Sequence, residues 1–361
     1  MKYFMRTMVS IAALAIVGMV GQAMATELVV VSWGGAYTAS QQNAYHQPYM
    51  DSNPGIKIVN DDSAGSAVAK LRAMKQAGNT TWDLVDAVAS DAMMLCDEGL
   101  VDEIDHNSAL ASAPDGTSAT DDFGEFIVSP CFVPQIVYST TFGYRKDKVN
   151  RPMSSICDVF DLKSFPGKRA LEKKPINNLE WALICDGVAP AKVYDVLGTN
   201  AGVKQALAKL DTIKSNVVWW TSGSQTPQLL ADGEVVVGST YNGRLFALIE
   251  EQKQPVAMLW DWQVFDLDGW VVPSGGKNKS ETMKYLKFAT DTQRLADQAK
   301  FISYGPTRAS SAPLVGNHAK LGIAMAPHMP TDPNNAKTTL LFNYEFWADN
   351  RDDLDAKFNA W

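Results

Sequence analysis

Aromatic, polar and acidic side chains stand beside the ends of several apolar runs in the sequence. The residues placed in this way are Trp33, Tyr37, Ser90, Asp91, Tyr241, Asn242, Asp266 and Asp268. Aromatic faces attract a cation, and a carboxylate offers it a charge-assisted hydrogen bond. Each residue alone could equally pack in a core, but together they favour a binding site for a small cationic amine.

The apolar runs alternate with amphipathic stretches along the chain. The sequence predicts strands at residues 27–33, 56–59, 82–88, 217–220, 234–239 and 270–272. It predicts helices at residues 38–50, 66–76, 281–290, 293–301 and 346–358, and another that begins at Gly243. Such alternation predicts α/β lobes on largely parallel sheets, which bind ligands at the carboxyl ends of their strands. Because no low-complexity linker interrupts the pattern, we expect two lobes joined by short crossing strands.

The N-terminus has the features of a cleaved export signal. Lys2 and Arg6 precede an apolar run at residues 9–21, and Ala23-Met24-Ala25 follows as a small-x-small cleavage site. The run is shorter than the roughly 20 residues that span a membrane. We therefore expect residues 1–25 to be removed and the mature protein to lie in the periplasm, although an uncleaved anchor is the alternative.

Composition and cysteine usage agree with an exported globular protein. The chain is 46% hydrophobic with a formal net charge of −8, which disfavours nucleic acid as a partner. Four cysteines in an oxidising compartment predict two disulfides, with three possible connectivities. Pairing Cys96 with Cys131 and Cys157 with Cys185 keeps each bridge within one half of the chain, as two mobile lobes require. Four buried thiols are the alternative.

The sequence contains no pattern typical of an enzyme or a metal site. It has no GxSxG nucleophile turn, its Gly34-Gly35 turn is not GxGxxG, and its four histidines are scattered without a CxxC. No metal and no cofactor are expected. A secreted enzyme of unknown activity is the alternative from another functional class.

Several short motifs carry a resemblance to a known family. They are residues 30–37 (VVSWGGAY), 82–85 (WDLV), 90–91 (SD), 98–100 (EGL), 239–243 (STYNG) and 302–306 (ISYGP). In this order they resemble the substrate-binding components of bacterial ABC importers, in the spermidine/putrescine-binding branch. The resemblance covers essentially the whole mature chain.

The resemblance implies the two-lobed periplasmic binding protein fold of type II, which closes on its ligand and delivers it to an inner-membrane permease. We expect the protein to be a monomer. The implied lobes are residues 26–141 with 269–310, and residues 142–268 with 311–361. The implied ligand-lining residues are Trp33, Tyr37, Ser90, Tyr241, Asp268 and Tyr304.

Two departures from the family pattern leave the ligand open. Polyamine binders usually have acidic residues after the position of Gly167-Lys168, where this chain has Lys173 and Lys174. Asp266 stands where the family often has an aromatic residue. The primary prediction is a polyamine such as putrescine or spermidine. The alternative is an aminated carboxylic acid resembling γ-aminobutyrate, with its carboxylate on the two lysines, unless these are solvated and point away.

Overall fold

Ten strands form one mixed sheet in the computed structural model, which describes residues 25–361. The strands are Thr26–Val31 (β1), Ile56–Asp61 (β2), Leu84–Val88 (β3), Val133–Arg145 (β4), Arg169–Glu172 (β5), Val217–Trp220 (β6), Val237–Tyr241 (β7), Val256–Val271 (β8), Gly305–Pro306 (β9) and Thr339–Leu341 (β10). The leader predicted at the N-terminus lies, apart from Ala25, outside the described residues.

Helices cover this sheet. In the described part of the chain the α-helices are Gly35–Gln41 (α1), Gln47–Ser52 (α2), Ala67–Ala77 (α3), Ala89–Asp97 (α4), His106–Ala109 (α5), Ala119–Phe123 (α6), Asn178–Cys185 (α7), Val193–Leu197 (α8), Asn200–Asp211 (α9), Gln225–Ala231 (α10), Asn242–Phe246 (α11), Lys279–Ala289 (α12), Thr292–Gln298 (α13) and Tyr344–Ala360 (α14). The π-helical turns Gln42–His46 and Ala247–Glu251 follow α1 and α11 directly. No helix between residues 25 and 361 is both long and apolar enough to cross a membrane.

The strand order shows two halves joined by two long strands. The order is β2-β1-β3-β8-β4-β7-β5-β6. The first three strands are parallel to one another and form the N-terminal half, while β7, β5 and β6 form a parallel C-terminal half. Between them β4 and β8 pair antiparallel along most of their length. The predicted α/β class and two lobes are confirmed, and each lobe's parallel strands are edged by these antiparallel crossing strands.

Each half has its own apolar core. Trp270 lies against Tyr45 in the N-terminal half, with ring centroids 5.6 Å apart, and Phe142 lies 4.7 Å from Trp181 in the C-terminal half. Burying large aromatic side chains of this kind supplies much of the free energy that holds such a core together. The crossing strands therefore contribute residues to both cores, which fixes where each half begins.

Each half contains one disulfide. Cys96 at the end of α4 bonds to Cys131, two residues before β4, and Cys157 bonds to Cys185 at the end of α7. This is the connectivity predicted from the sequence. Neither bridge joins the two halves, so neither restrains their relative motion.

Candidate ligand-binding site

A cavity of about 350 Å³, counting the solvent at its mouth, lies where the two halves meet in front of the crossing strands. It is lined by Trp33, Tyr37, Val88, Ile136, Tyr138, Tyr241, Arg244, Asp268 and Tyr304. Both halves and both crossing strands contribute. Alternation along β4 turns Ile136 and Tyr138 toward the cavity, while Val137 between them packs in a core on the opposite face.

Asp268 is the acidic group of the cavity. It lies near the end of β8, where its carboxylate accepts hydrogen bonds from Trp33 Nε1 at 2.8 Å and from the Tyr37 hydroxyl at 2.7 Å. Burial and the nearby Asp86 raise the pKa of Asp268 above its usual range. No basic side chain among residues 25–361 comes within ion-pairing distance of it. The carboxylate is thus oriented by neutral donors and lacks a cation.

A buried polar network supports Asp268 from the N-terminal half. The Gln41 amide donates to both oxygens of Asp86, each at 2.9 Å, and the Tyr37 hydroxyl lies 2.7 Å from Gln135 Oε1. Burial raises the pKa of Asp86 to about 8. Because buried hydrogen-bonded networks are rigid, Asp268 and its two donors are held in place before a ligand arrives.

Tyrosine rings form the apolar walls. Tyr138 meets Tyr241 edge to face with ring centroids 5.5 Å apart, and Tyr304 lies 5.9 Å from Tyr37. Burial raises the pKa values of Tyr138 and Tyr241, so their hydroxyls stay neutral at any physiological pH. The walls therefore offer ring faces and edges to a ligand but no negative charge.

Arg244 is the basic group of the cavity, and the sequence analysis missed it. It lies in the first turn of α11, directly after the STYNG motif, and is 8% exposed. One terminal nitrogen, Nη2, donates to the Trp33 carbonyl at 3.3 Å, and Nε has no partner. No carboxylate of residues 25–361 lies within ion-pairing distance. Its position beside the motif was the available signal.

Two glycines make room for this guanidinium. A Cβ atom at Gly35 would lie 3.1 Å from Arg244 Nη1, and one at Gly223 would lie 3.0 Å from Nε. Gly35 is the first residue of α1 and has a φ of +60°, which favours glycine. The arginine of the C-terminal half can therefore lie directly against the backbone of the N-terminal half.

Five of the residues predicted to bind ligand line the cavity: Trp33, Tyr37, Tyr241, Asp268 and Tyr304. Four others lie outside its lining: Ser90, Asp91, Asn242 and Asp266.

These four have roles within the fold. Ser90 is buried in the first turn of α4, and Asp91 beside it forms an ion pair with Arg351 of α14. Asn242 accepts from the Ser139 amide at 3.0 Å, which ties α11 to β4. Asp266 accepts from the Tyr138 hydroxyl at 2.8 Å, so it positions a cavity wall rather than facing the cavity.

The two lysines proposed to contact a carboxylate lie outside the cavity as well. Lys173 and Lys174 are exposed, and Lys174 pairs with Glu172 at 3.1 Å. Their loop follows β5, but neither side chain lines the cavity. The basic group that the cavity contains is supplied by α11 instead.

A family model described as bacterial extracellular solute-binding protein matches residues 44–331. The chain belongs to this family.

Relatives of this solute-binding protein share its full length. It is 36% identical over 340 residues to the gamma-aminobutyric acid-binding protein of Pseudomonas aeruginosa, covering 94% of this chain and 92% of that protein. A solved GABA receptor is 32% identical, covers 93% of this chain and 97% of its own, and superposes with a TM-score of 0.78. The binding protein AgtB from A. tumefaciens R10, solved with agropinic acid, is 29% identical over 93% and 98% of the two chains with a TM-score of 0.80.

Proposed function

We propose that this solute-binding protein captures a short ω-amino carboxylic acid, such as γ-aminobutyrate, in the periplasm for an ABC importer. One observation carries the proposal: Asp268 and Arg244, of opposite charge, line the same cavity, and neither has an ionic partner in the described chain. A zwitterion with separated charges would satisfy both groups.

Asp268 would hold the ammonium end of the ligand. An ammonium has three donors and needs acceptors, which the carboxylate provides as charge-assisted hydrogen bonds. The Tyr138 and Tyr241 rings, which line the same cavity, would add cation–π attraction. The raised pKa of Asp268 favours the same assignment, since a bound cation removes the cost of ionising a buried acid.

Arg244 would hold the carboxylate end. A guanidinium presents a fork of N–H donors that matches a carboxylate, and most of the donors of Arg244 are unused. A buried charge without partners is costly, so its presence in the cavity wall points to an anionic ligand group. This replaces the predicted contact with Lys173 and Lys174.

The same arrangement disfavours a polyamine. A diamine would bring a second cation toward Arg244, and like charges in a desolvated site repel strongly. The γ-aminobutyrate-like ligand, which the sequence analysis kept as the alternative, is therefore better supported than putrescine or spermidine. The gamma-aminobutyric acid-binding relative, 36% identical over nearly the whole chain, supports the same choice.

The two charged groups belong to different halves, which suggests how capture proceeds. Asp268 is fixed to the N-terminal half through Trp33 and Tyr37, whereas Arg244 belongs to α11 of the C-terminal half. A ligand that engages both shifts the population toward the closed arrangement. We propose that the two moving lobes follow the bounds predicted from the sequence, residues 26–141 with 269–310 and residues 142–268 with 311–361, except that Asp268, which pairs with Val88 of β3, moves with the first lobe.

Calorimetry with Asp268→Asn tests the proposal. Wild-type protein should bind γ-aminobutyrate and should bind putrescine much more weakly. Asp268→Asn should lose about 2–5 kcal/mol of γ-aminobutyrate binding, because the ligand's ammonium is left buried and unpaired.

Asp266→Asn is the matched control, since it makes the same charge change two residues earlier on the same strand but outside the cavity lining. It should change affinity far less. Tighter binding of putrescine than of γ-aminobutyrate by wild-type protein would contradict the proposal.

A further inference from the structure

Both charged groups of the cavity are attached to the same residue. The Trp33 indole Nε1 donates to Asp268 Oδ2 at 2.8 Å, and the Trp33 carbonyl oxygen accepts from Arg244 Nη2 at 3.3 Å. The acid is thus held by the side chain of Trp33 and the base by its backbone. Within one residue the bond lengths and angles are fixed, so the distance between these two atoms changes only with the side-chain torsions and the backbone torsion ψ of Trp33.

We infer that Trp33 sets the chain length of the ligand by fixing the separation between the ammonium-binding and carboxylate-binding groups. This inference rests on the proposed function and adds the basis of its specificity. We expect molecules whose two charged groups are attached to one carbon, such as α-amino acids, to bind weakly, because they would engage only one of the two groups. Chains longer than the fixed separation have to buckle against the tyrosine walls.

Packing holds the side chain of Trp33 in place. The indole of Trp33 contacts the apolar cluster of Tyr37, Ile136 and Tyr304 on the cavity side. It also packs against the core of the N-terminal half that contains Leu71, and a Cβ at Gly65 would lie 3.9 Å from its ring. Contacts on both sides leave the ring little freedom to change rotamer, because close-packed side chains resist displacement.

The glycine turn after Trp33 holds the backbone end. Gly34 has a φ of +73° and Gly35 a φ of +60°, so the chain bends sharply as soon as it leaves β1. The bend exposes the Trp33 carbonyl toward α11, and the missing side chain of Gly35 lets Arg244 approach within hydrogen-bond distance. Replacing Gly35 would therefore move the guanidinium while leaving Asp268 where it is.

The test measures dissociation constants for a series of ω-amino acids: β-alanine, γ-aminobutyrate, 5-aminovalerate and 6-aminohexanoate. Wild-type protein should show a sharp maximum at the four-carbon member. A methylene too many or too few in an enclosed apolar site changes affinity by about ten- to two-hundred-fold.

Trp33→Phe keeps an aromatic ring but removes the indole N–H that holds Asp268. It should flatten the length profile, so that neighbouring members of the series bind within about threefold of one another. The matched variant Tyr304→Phe removes a hydroxyl from another cavity-lining ring and leaves both ends of Trp33 in place. It should change the affinity for every member by a similar factor and keep the maximum.

An equal loss for all chain lengths in Trp33→Phe would overturn the role of Trp33 while leaving the proposed ligand class intact. Failure of wild-type protein to bind any member, with binding of putrescine instead, would overturn both. If thermal melting shows that Trp33→Phe does not fold, Gly35→Ala decides the question. It should shift or broaden the maximum, and an unchanged profile would refute the inference.

Discussion

Two buried arginines in this protein have opposite surroundings. Arg308 lies on the reverse side of the crossing strands with its side chain fully buried, and Arg244 lies in the ligand cavity. In each the Nε atom has no partner, so the difference lies in the terminal nitrogens. Those of Arg308 are both hydrogen-bonded, whereas Arg244 makes a single long bond.

Arg308 is satisfied by the protein. Its Nη1 donates to Asp122 at 2.9 Å, its Nη2 donates to the Ala111 carbonyl at 2.7 Å, and its guanidinium lies 4.5 Å from the ring centroid of Phe123. Asp122 also accepts from the amide and the hydroxyl of Ser310. Because Arg308 has an ionic partner inside the chain and both of its terminal nitrogens are bonded, its role is to hold the segment after β9 against α6.

Structural charges and candidate ligand-binding charges in this fold differ in how many of their donors are bonded within the chain. Removing either guanidinium from water is unfavourable, but only Arg308 gains an ionic partner within the chain that offsets this. The donors of Arg244 that have no partner in the protein are available to a ligand. Burial alone does not distinguish the two residues, while the count of bonded donors does.

Breaking the ion pair of Arg308 with Asp122 should give the largest of the predicted effects, a loss of stability. Arg308→Gln leaves Asp122 buried without its cation, and we expect a loss of about 3–5 kcal/mol in the free energy of unfolding. Denaturant unfolding followed by tryptophan fluorescence measures it. Adding Asp122→Asn should recover part of the loss, and strictly additive effects would show that the two residues are not coupled.

Arg244→Gln should weaken ligand binding and leave stability nearly unchanged, the opposite of what we expect for Arg308→Gln. It should weaken γ-aminobutyrate binding by about 2–5 kcal/mol, because the ligand's carboxylate loses a buried charged partner. Unfolding free energy should stay within about 1 kcal/mol of wild type, since the guanidinium gives up only one long hydrogen bond to the protein. Calorimetry and denaturant unfolding on the same sample check both statements, and a destabilisation as large as that of Arg308→Gln would remove the distinction.

His46 extends the comparison to a buried base that can lose its charge. Both ring nitrogens lack partners, and burial lowers the pKa of His46 from 6.5 to about 4. Between these two values the unfolded chain binds a proton that the folded chain does not, so stability falls as pH drops through this window. The loss attributable to His46 should approach about 3 kcal/mol near pH 4.

Unfolding of wild type and His46→Phe at pH 7 and pH 4.5 measures this contribution. The difference between the two proteins should shift in favour of the variant at the lower pH. Comparing the two proteins at each pH cancels the titration of buried acids such as Asp86. An equal difference at both pH values would show that His46 does not contribute.

Lys174 should give the smallest effect. Its side chain is exposed, although that of its ion-pair partner Glu172 is buried, so solvent screens the pair from the lysine side and its contribution to stability stays near about 1 kcal/mol. Lys174→Gln should leave γ-aminobutyrate affinity unchanged in calorimetry. A tenfold weakening would return this lysine to the ligand site and weaken the case for Arg244.

Much of the architecture followed from local patterns. The apolar runs predicted β1 to within two residues at either end, β6 with its observed bounds, and the helices α3, α12 and α14. The crossing strands were largely missed: β4 was not predicted, and β8 was predicted only at its end. Both carry polar residues that a short-range pattern assigns to loops. Their polar partners are distant in sequence, as with Tyr138 and Asp266, which are 128 residues apart.

The sequence by itself determined the two α/β lobes, the likeness to solute-binding proteins and five cavity-lining residues, because strand ends and short motifs are local features. Which basic residue lines the cavity was decided only by the tertiary structure. Lys174, exposed and paired with Glu172, and Arg244, enclosed between Gly35 and Gly223, are both simply basic residues in the sequence. Burial and the lack of a partner belong to atoms brought together from distant parts of the chain, and these properties separate a solvated charge from one that binds a ligand.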